Sequence, residues 1–300
     1  MRTIGVIGGS GLYDIDGLTN VERVKLDTPF GAPSDEYVVG VLGDAKLVFL
    51  PRHGRGHKVS PHEINFRANV YGMKQLGVEW LLSVSAVGSM KKKIRPGDIV
   101  VPDQFFDRTN RGGRMSTFFG DGCVGHVAFA DPVCGHLAKV VSRVADKECK
   151  KAGSRAHEGG TYLVIEGPQF STRGESEIYR QWGVSVIGMT NLPEAKLARE
   201  AGICYATIAL STDYDCWHES EEDVSVEAVL SIIRQNVTLA KAIVKGAAER
   251  IPAARACHCG QAAEFAIMTA RDQIPQATRD KLKLLFGAYM DPPTADKEIA

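Results

Sequence analysis

Residues Ile4–Asp14 read IGVIGGSGLYD, an apolar strand that runs directly into a glycine-rich turn. Such a turn after a first strand commonly lets backbone N–H groups approach a phosphate. Two familiar phosphate sites are excluded by spacing. The pattern G-x-G-x-x-G counted from Gly9 reaches Asp14 in place of its third glycine, and no lysine follows as a Walker loop requires. A plain strand-to-loop turn, in which glycine tolerates a positive φ, is the alternative, although it does not require the Ser10 hydroxyl.

The composition is that of a globular protein without a charge bias. The chain has 300 residues, of which 44% are hydrophobic and 24% charged, and its formal net charge is zero. A balanced charge provides no long-range attraction for nucleic acid or a membrane surface. No apolar run of about 18 residues could span a bilayer, and the N-terminus lacks the apolar core of a signal peptide. We therefore expect a cytoplasmic protein that binds neither nucleic acid nor membranes.

Apolar segments rich in β-branched residues alternate with amphipathic helices along the chain. Several of these segments show no polar alternation, so both of their faces should be buried, as in a central sheet flanked by helices. The sequence therefore predicts an α/β fold. The candidate strands are Thr3–Gly8, Tyr37–Leu42, Leu47–Leu50, Trp80–Val84, Asp98–Val101, Thr161–Glu166, Val184–Ile187 and Ile203–Ser211.

Three helices have clear signals. Ser60, Pro61 and Glu63 form an N-terminal capping pattern for a helix that should run to about Gly77. A second helix should start near Asn191 and stop at Gly202. The third has an apolar face of period 3.6 that begins at Val226 and reaches Val244.

The chain shows no repeat and no interdomain linker. We assign residues 1–250 to one domain and residues 251–300 to a C-terminal helical extension packed on it. Residues 108–119 are interpreted as a mobile loop, and the polar last stretch, Asp291–Ala300, is expected to fray.

Polar groups collect where predicted strands end. Arg52, His53 and His57 follow one strand within PRHGRGH, a combination that suits an oxyanion, although a solvated basic loop is the alternative. Ser85 and neighbouring small residues end another strand, where a ligand could approach the backbone.

Asp213 and Asp215 follow the most apolar strand. If the strand continues through both, they point to the same side. Two such carboxylates repel, which raises one pKa and keeps a proton available for general acid catalysis. A calcium loop is disfavoured because the required glycine and distal glutamate are missing.

The seven cysteines show no regular spacing, which argues against a secreted disulfide framework. Cys257, His258 and Cys259 form the one local cluster. No second ligand pair lies nearby in the sequence, so we favour inert thiols, then a redox pair or disulfide, over a metal site.

Long motifs identify a family resemblance that extends from Thr3 to about Arg250. The chain resembles the trimeric nucleoside phosphorylases, and within them the 5′-methylthioadenosine phosphorylases. The resemblance implies a single-domain nucleoside phosphorylase fold with a central mixed β-sheet. The matching motifs are GVIGGSGL, DTPFGAPSD, RHGRGH, SAVGS, PGDIVVPDQFFDRT, IEGPQFSTRGE, IGMTNLPEAKLAREAGICYA and STDYDCW.

The resemblance also implies a reaction and its residues. Inorganic phosphate, as a co-substrate, attacks C1′ of S-methyl-5′-thioadenosine, releasing adenine and 5-methylthioribose 1-phosphate for purine and methionine salvage. We expect no metal and no organic cofactor, and a homotrimer with active sites at subunit interfaces. The implied phosphate site is Ser10, Arg52, His53, Ser85, Ala86 and Thr190. The implied nucleoside site is Met189, Phe170, Ile187, Val226, Val229, Leu230 and His57, with His126 from a neighbouring subunit.

Asp213 and Asp215 are the implied catalytic and adenine-reading residues, with Asp213 donating the proton at N7. Carboxylates accept hydrogen bonds, which suits a 6-amino group. A 6-oxopurine phosphorylase acting on methylthioinosine, inosine or guanosine is the main alternative, and it would favour an amide side chain. A hydrolase, which uses water in place of phosphate, would not need the anion site. A nucleoside sensor that has lost catalysis should have substitutions at the acid or at the anion site, and the sequence shows no such substitution.

Overall fold

The computed structural model describes residues 1–9, 11–110, 116–218 and 226–290, except the side chains of residues 226–231 and 233. Its strands are β1 Arg2–Gly8, β2 Thr19–Val24, β3 Tyr37–Leu42, β4 Ala45–Pro51, β5 Trp80–Ser89, β6 Ile99–Val101, β7 Gln104–Arg108, β8 Ala156–Glu158, β9 Thr161–Ile165, β10 Val186–Gly188 and β11 Cys204–Asp213. Its α-helices are α1 Phe66–Gln75, α2 Gly135–Lys151, α3 Arg173–Gln181, α4 Asn191–Glu200, α5 Val226–Arg250 and α6 Gln276–Met290.

The described strands form one mixed sheet, as the sequence predicts. Its main path runs β2-β3-β4-β1-β5-β10-β9-β7, while β11 pairs with β5 and connects through β6 to β8. Strands β4, β1, β5 and β11 are mutually parallel where they pair. Their carboxyl ends therefore meet at one edge of the sheet, which is where ligands bind in open α/β sheets.

Helices cover both faces of the sheet. On β1, Ile4 and Val6 pack in one hydrophobic cluster with residues of α2 and α5, whereas Ile7 packs in a second cluster with residues of α1, α4 and α6. Successive residues of a strand point to opposite faces. This arrangement confirms the prediction that the unalternating strands are buried on both sides.

The predicted helix after Ser60 is split. A short 3-10 turn covers Pro61–Glu63, with the Glu63 carboxylate accepting the Ser60 N–H at 3.0 Å. The chain then leaves helical geometry at Ile64, and α1 begins after a second cap, since the Asn65 side chain accepts the N–H of Ala68. The predicted helix at Asn191 and the 3.6-period helix are confirmed as α4 and α5.

Three strands, β2, β7 and β8, are not predicted from the sequence. Strand β2 is polar and exposed along almost its whole length, β7 is also mostly exposed, and β8 has only three residues. An apolar pattern arises only where a face is buried, so such strands carry a weak signal.

The C-terminal segment packs on the same core. Leu282, Phe286 and Met290 of α6 belong to the hydrophobic cluster that contains α1 and α4. The prediction that the last ten residues fray lies outside the described residues. Among the described helices, none combines the length and hydropathy needed to cross a bilayer.

Candidate active site

The parallel strands place four of the predicted stretches together. In the sheet register Gly8 lies beside Pro51, Ile7 beside Ser83, and Ser211 beside Val87. The turn after β1, the basic loop after β4, the second half of β5 and the end of β11 are therefore neighbours. Ser10, predicted for the anion site, lies outside the described residues.

Gly8 and Gly9 do not have the left-handed backbone that would explain glycine in a plain turn. Neither is among the positive-φ residues in the part of the chain that the structure describes. A Cβ on Gly8 would collide with the Leu12 side chain, while one on Gly9 would meet no atom within 4 Å. Gly8 is thus required for packing, and the backbone at Gly9 faces open space.

Arg52 is held inside the protein. Its guanidinium donates to the Glu194 carboxylate from Nε at 2.5 Å and from Nη2 at 3.1 Å, to Ser83 Oγ at 2.7 Å and to the Val84 carbonyl at 3.0 Å. Arg52 and Glu194 are 3% and 1% exposed. The positive charge is therefore already paired, and the guanidinium fastens β4 to β5 and α4. Sequence reasoning missed Glu194 as a partner because it is 142 residues away.

His53 is neutral at physiological pH. Burial, assisted by the charge of Arg52, lowers the pKa of its imidazole to about 4. Nδ1 lies 2.8 Å from the Val59 carbonyl, which can only accept, so Nδ1 carries the proton. Nε2 is then a hydrogen-bond acceptor. The His57 ring stacks on it with centroids 4.5 Å apart.

Ser85 and Thr190 are buried, and Ala86 is exposed. Ser85 Oγ lies 2.9 Å from the hydroxyl of Tyr162, which occupies the space where a Cβ on Gly188 would lie. The prediction that this strand ends at Val84 is wrong, because β5 continues to Ser89 and Ser85 lies within it. The middle of β5 is thereby connected to the end of β10, where Met189 and Thr190 follow. Tyr162 is a further residue of this site that the sequence analysis missed, since an apolar strand around a tyrosine gives no functional signal.

Asp213 and Asp215 are neighbours, but not as strand residues. Asp213 ends β11, and Asp215 has a φ of +54° and starts a 3-10 turn. The same-side strand argument is therefore wrong. A tight turn brings the two together instead, since the Asp215 N–H donates to the Asp213 carboxylate at 2.8 Å.

The two carboxyls have different surroundings. Asp213 is exposed and also accepts from Thr212 Oγ1 at 2.7 Å, while half-buried Asp215 accepts from Ser176 Oγ at 2.5 Å. Burial raises the pKa of Asp215 despite the Ser176 hydrogen bond, and the Asp213 charge raises it further. A proton is thus retained more readily at Asp215 than at an ordinary aspartate.

Glycines leave room beside the aspartates. A Cβ on Gly88 would lie 3.0 Å from Oδ1 of Asp213 and 3.1 Å from the Ile187 side chain. A Cβ on Gly167 would lie 2.6 Å from the Met189 sulfur. Ile187 and the aspartates are therefore adjacent, and Met189 lies against the loop after β9.

The remaining predicted residues have fewer contacts with these groups. Phe170 is 83% exposed, and its neighbour Ser171 accepts a hydrogen bond from the Cys216 thiol at 3.4 Å, next to Asp215. His126 is exposed, and its backbone N–H is bonded to the Ala266 carbonyl. Val226, Val229 and Leu230 lie on the first turns of α5, and their side chains are outside the description.

One group of side chains in the described part of the chain could hold a metal ion. It comprises Cys134, Cys204, Cys257 and Cys259. It shares β11 with the candidate active site, but Cys204 begins that strand and Asp213 ends it.

The chain is similar to known phosphorylases. A model described as the phosphorylase superfamily matches residues 3–249. An S-methyl-5′-thioadenosine phosphorylase of Geobacter sulfurreducens is 58% identical, with 96% of this chain and 99% of the relative covered.

Solved structures agree with this result. A methylthioadenosine phosphorylase from an Antarctic soil metagenomic library has a TM-score of 0.90 and 45% identity, covering 97% of this chain and 99% of the other. A mutant adenosine/methylthioadenosine phosphorylase from Schistosoma mansoni, in complex with methylthioadenosine, has a TM-score of 0.77 and 38% identity, covering 85% and 93%.

Proposed function

Because the chain belongs to the phosphorylase superfamily, we propose that it is a pentosyltransferase that cleaves S-methyl-5′-thioadenosine with inorganic phosphate. The products are adenine and 5-methylthioribose 1-phosphate, which serve purine and methionine salvage. The observation that carries the proposal is the pair Asp213 and Asp215 beside Gly88 and Ile187, at the edge of the sheet where parallel strands end. The relatives described above support the substrate.

Cleavage of the N-glycosidic bond develops positive charge at C1′ of the ribose. A phosphate dianion bound beneath that carbon stabilises the charge and is already placed to attack it. The departing purine carries the bonding electrons, so protonation of its ring nitrogen improves the leaving group. General acid catalysis of this kind contributes roughly 10²–10⁴-fold.

The phosphate site is proposed to comprise the turn after β1 with Ser10, the loop after β4, the middle of β5 and the end of β10. Neutral His53 accepts a hydrogen bond from the O–H group of monohydrogen phosphate at Nε2, because its Nδ1–H is donated to the Val59 carbonyl. Ser85, the Ala86 N–H and Thr190 supply donors. Arg52 acts mainly by supporting the loop, since Glu194 and Ser83 occupy most of its N–H groups.

The two aspartates are proposed to bind different atoms of the purine. An ionised carboxylate accepts from the 6-amino group, and a protonated one donates to N7. The raised pKa of Asp215 favours Asp215 as the carboxyl that holds the proton. The resemblance alone instead places this proton on Asp213.

The remaining nucleoside contacts follow the resemblance. Met189 binds the ribose through its backbone, while Phe170 and Ile187 pack on base or sugar. Val226, Val229 and Leu230 form the methylthio pocket. An apolar pocket rejects an added hydroxyl by only about 10²-fold, so adenosine should be a slower substrate.

We further propose a cytoplasmic homotrimer in which His57 and a neighbour's His126 close the site. An apolar surface around His126 supports this proposal. Val124, Phe265 and Met268 are 54%, 87% and 67% exposed, and the Met268 N–H donates to the Val124 carbonyl at 2.8 Å. Contiguous exposed apolar side chains commonly mark a protein interface.

Release of free base from three nucleosides tests the proposal. The purified protein is incubated with S-methyl-5′-thioadenosine, adenosine or methylthioinosine, with and without phosphate. Phosphate-dependent adenine release, fastest from S-methyl-5′-thioadenosine, is expected. Preference for methylthioinosine would support the 6-oxopurine alternative, and release without phosphate would indicate a hydrolase.

A further inference from the structure

Four cysteines from three separate segments meet in the fold. Cys134 precedes α2, Cys204 begins β11, and Cys257 and Cys259 lie between α5 and α6. Their sulfur atoms all lie within 4.8 Å of one another. The second pair of ligands that Cys257 and Cys259 lack in the sequence is thus supplied by the tertiary structure.

The spacing matches one tetrahedral ion. Zinc–thiolate bonds of about 2.3 Å place the four sulfurs of a tetrahedron about 3.8 Å apart. Cys257 Sγ lies 3.3 Å from Cys204 Sγ and 3.7 Å from Cys134 Sγ. An iron–sulfur cluster would hold its cysteines further apart, because inorganic sulfides and several irons lie between them.

Burial separates the group from solvent. Cys134, Cys204 and Cys259 are 3%, 0% and 7% exposed, and Cys257 is partly buried. A ligand set enclosed on all sides by protein is typical of structural zinc, whereas catalytic zinc keeps an open position.

We propose that Cys134, Cys204, Cys257 and Cys259 bind one Zn²⁺ ion in a structural tetrathiolate site. The ion fastens the segment after α5 to the sheet and to α2. It takes no part in the proposed reaction, because the nine residue steps from Cys204 to Asp213 along β11 span about 30 Å. The proposal does not depend on the proposed substrate.

Elemental analysis of untagged protein tests the proposal. We expect one zinc per chain, retained after dialysis. The variant Cys257→Ser/Cys259→Ser should lose it, while Cys149→Ser, a change at a buried cysteine outside the group, should retain it. Protein in which cobalt replaces zinc should show the intense visible absorption of tetrahedral thiolate-bound Co²⁺.

A second measurement avoids reliance on the variants' folding. Wild-type protein treated with a strong chelator under reducing conditions should unfold at a lower temperature and recover when zinc is restored. Iron in place of zinc, no bound metal with all seven thiols titratable, or a fall in thiol count from disulfides would each overturn the proposal.

Discussion

At the scale of single residues, the surroundings of a side chain decide its role more than its type does. Arg52 and His53 are adjacent in a motif rich in cationic groups, yet Arg52 is paired inside the protein and His53 is neutral. The proposed anion site would therefore depend on hydrogen bonds and backbone donors more than on fixed positive charge. Asp213 and Asp215 differ in the same way, since burial raises the pKa of Asp215.

Replacing each aspartate separately tests which one holds the proton. Asp215→Asn and Asp213→Asn should each lower kcat for S-methyl-5′-thioadenosine, by roughly 10²–10⁴-fold for the acid. Because the acid must be protonated, wild-type activity should fall as pH rises through the raised pKa of Asp215. Asp215→Asn should abolish this alkaline fall. Asp213→Asn should retain it but shift it to lower pH, because the Asp213 charge raises the pKa of Asp215.

If Asp213→Asn abolishes the alkaline fall and Asp215→Asn retains it, Asp213 is the acid. Asp44→Asn is the matched control, because Asp44 is an exposed aspartate paired with Arg2 on the surface. It should leave both kcat and the pH profile unchanged.

Glu200 should make stability depend on pH. Burial raises its pKa to about 7 from 4.5, although its carboxylate accepts from the Phe118 N–H and the Thr117 hydroxyl. The folded state therefore binds more protons than the unfolded state between these values. Relative to Glu200→Gln, the wild type should lose about 3 kcal/mol of unfolding free energy as pH rises from 4.5 to 7.

Urea unfolding of both proteins at several pH values measures this difference. From about one pH unit above 7 the difference should be constant, because Glu200 is then ionised in both states. A difference that does not change between pH 4.5 and 7 would contradict the assignment.

At the scale of secondary-structure elements, a turn at the end of a strand positions the two aspartates. The end of β11 does not continue through Asp215 but turns, and the turn is fastened by the Trp217 indole N–H, which donates to the Ser89 carbonyl at 2.7 Å. Arg180 of α3 lies over the Trp217 ring at 3.7 Å. The aspartates are thus held against β5 and α3 by contacts outside their own strand.

Glu194 of α4 binds Arg52, which follows β4, and Ser83 of β5. Its replacement should therefore lower the unfolding free energy. Glu194→Gln leaves the buried Arg52 charge without its carboxylate, which should lower the unfolding free energy by about 3–5 kcal/mol. Denaturant unfolding measures this loss. Asp146→Asn, which breaks the exposed Lys150 pair, should cost at most about 1 kcal/mol. Equal effects of the two changes would contradict the structural role of Arg52.

At the scale of the whole molecule, the C-terminal segment and the loop around His126 form one surface. Gly125 and Ile267 are paired as an isolated antiparallel bridge, and Val124, Phe265 and Met268 leave apolar side chains in solvent. Exposing such groups in a single chain is unfavourable. The arrangement supports the proposal that His126 serves the site of a neighbouring chain.

A charge placed on this surface should disrupt assembly. We expect the wild type to have about three times the 32.5 kDa mass of the chain by light scattering. Phe265→Asp should lower the mass and reduce activity, because His126 no longer reaches a neighbour. Val21→Asp, at an exposed apolar position on β2, should do neither. A trimer unaffected by Phe265→Asp would place the interface elsewhere.

The sequence by itself determined the features that depend on local pattern. Unalternating apolar strands predicted a sheet covered on both faces, and α4 and α5 followed from a proline start and a 3.6-residue period. The adjacency of Asp213 and Asp215 followed from their spacing, although a turn and not a strand produces it. Strands β2 and β7 were not predicted because they are mostly exposed, and an apolar sequence pattern arises only where one face of a strand is buried.

Only the tertiary structure decided what depends on contacts between distant residues. Glu194 neutralises Arg52 from 142 residues away, and the Tyr162 hydroxyl reaches Ser85 from another strand. Cys134 and Cys204 join Cys257 and Cys259 only when β11, α2 and the C-terminal segment pack together. Charge pairing, pKa shifts and ligand sets depend on separations of a few ångströms, which linear spacing does not specify.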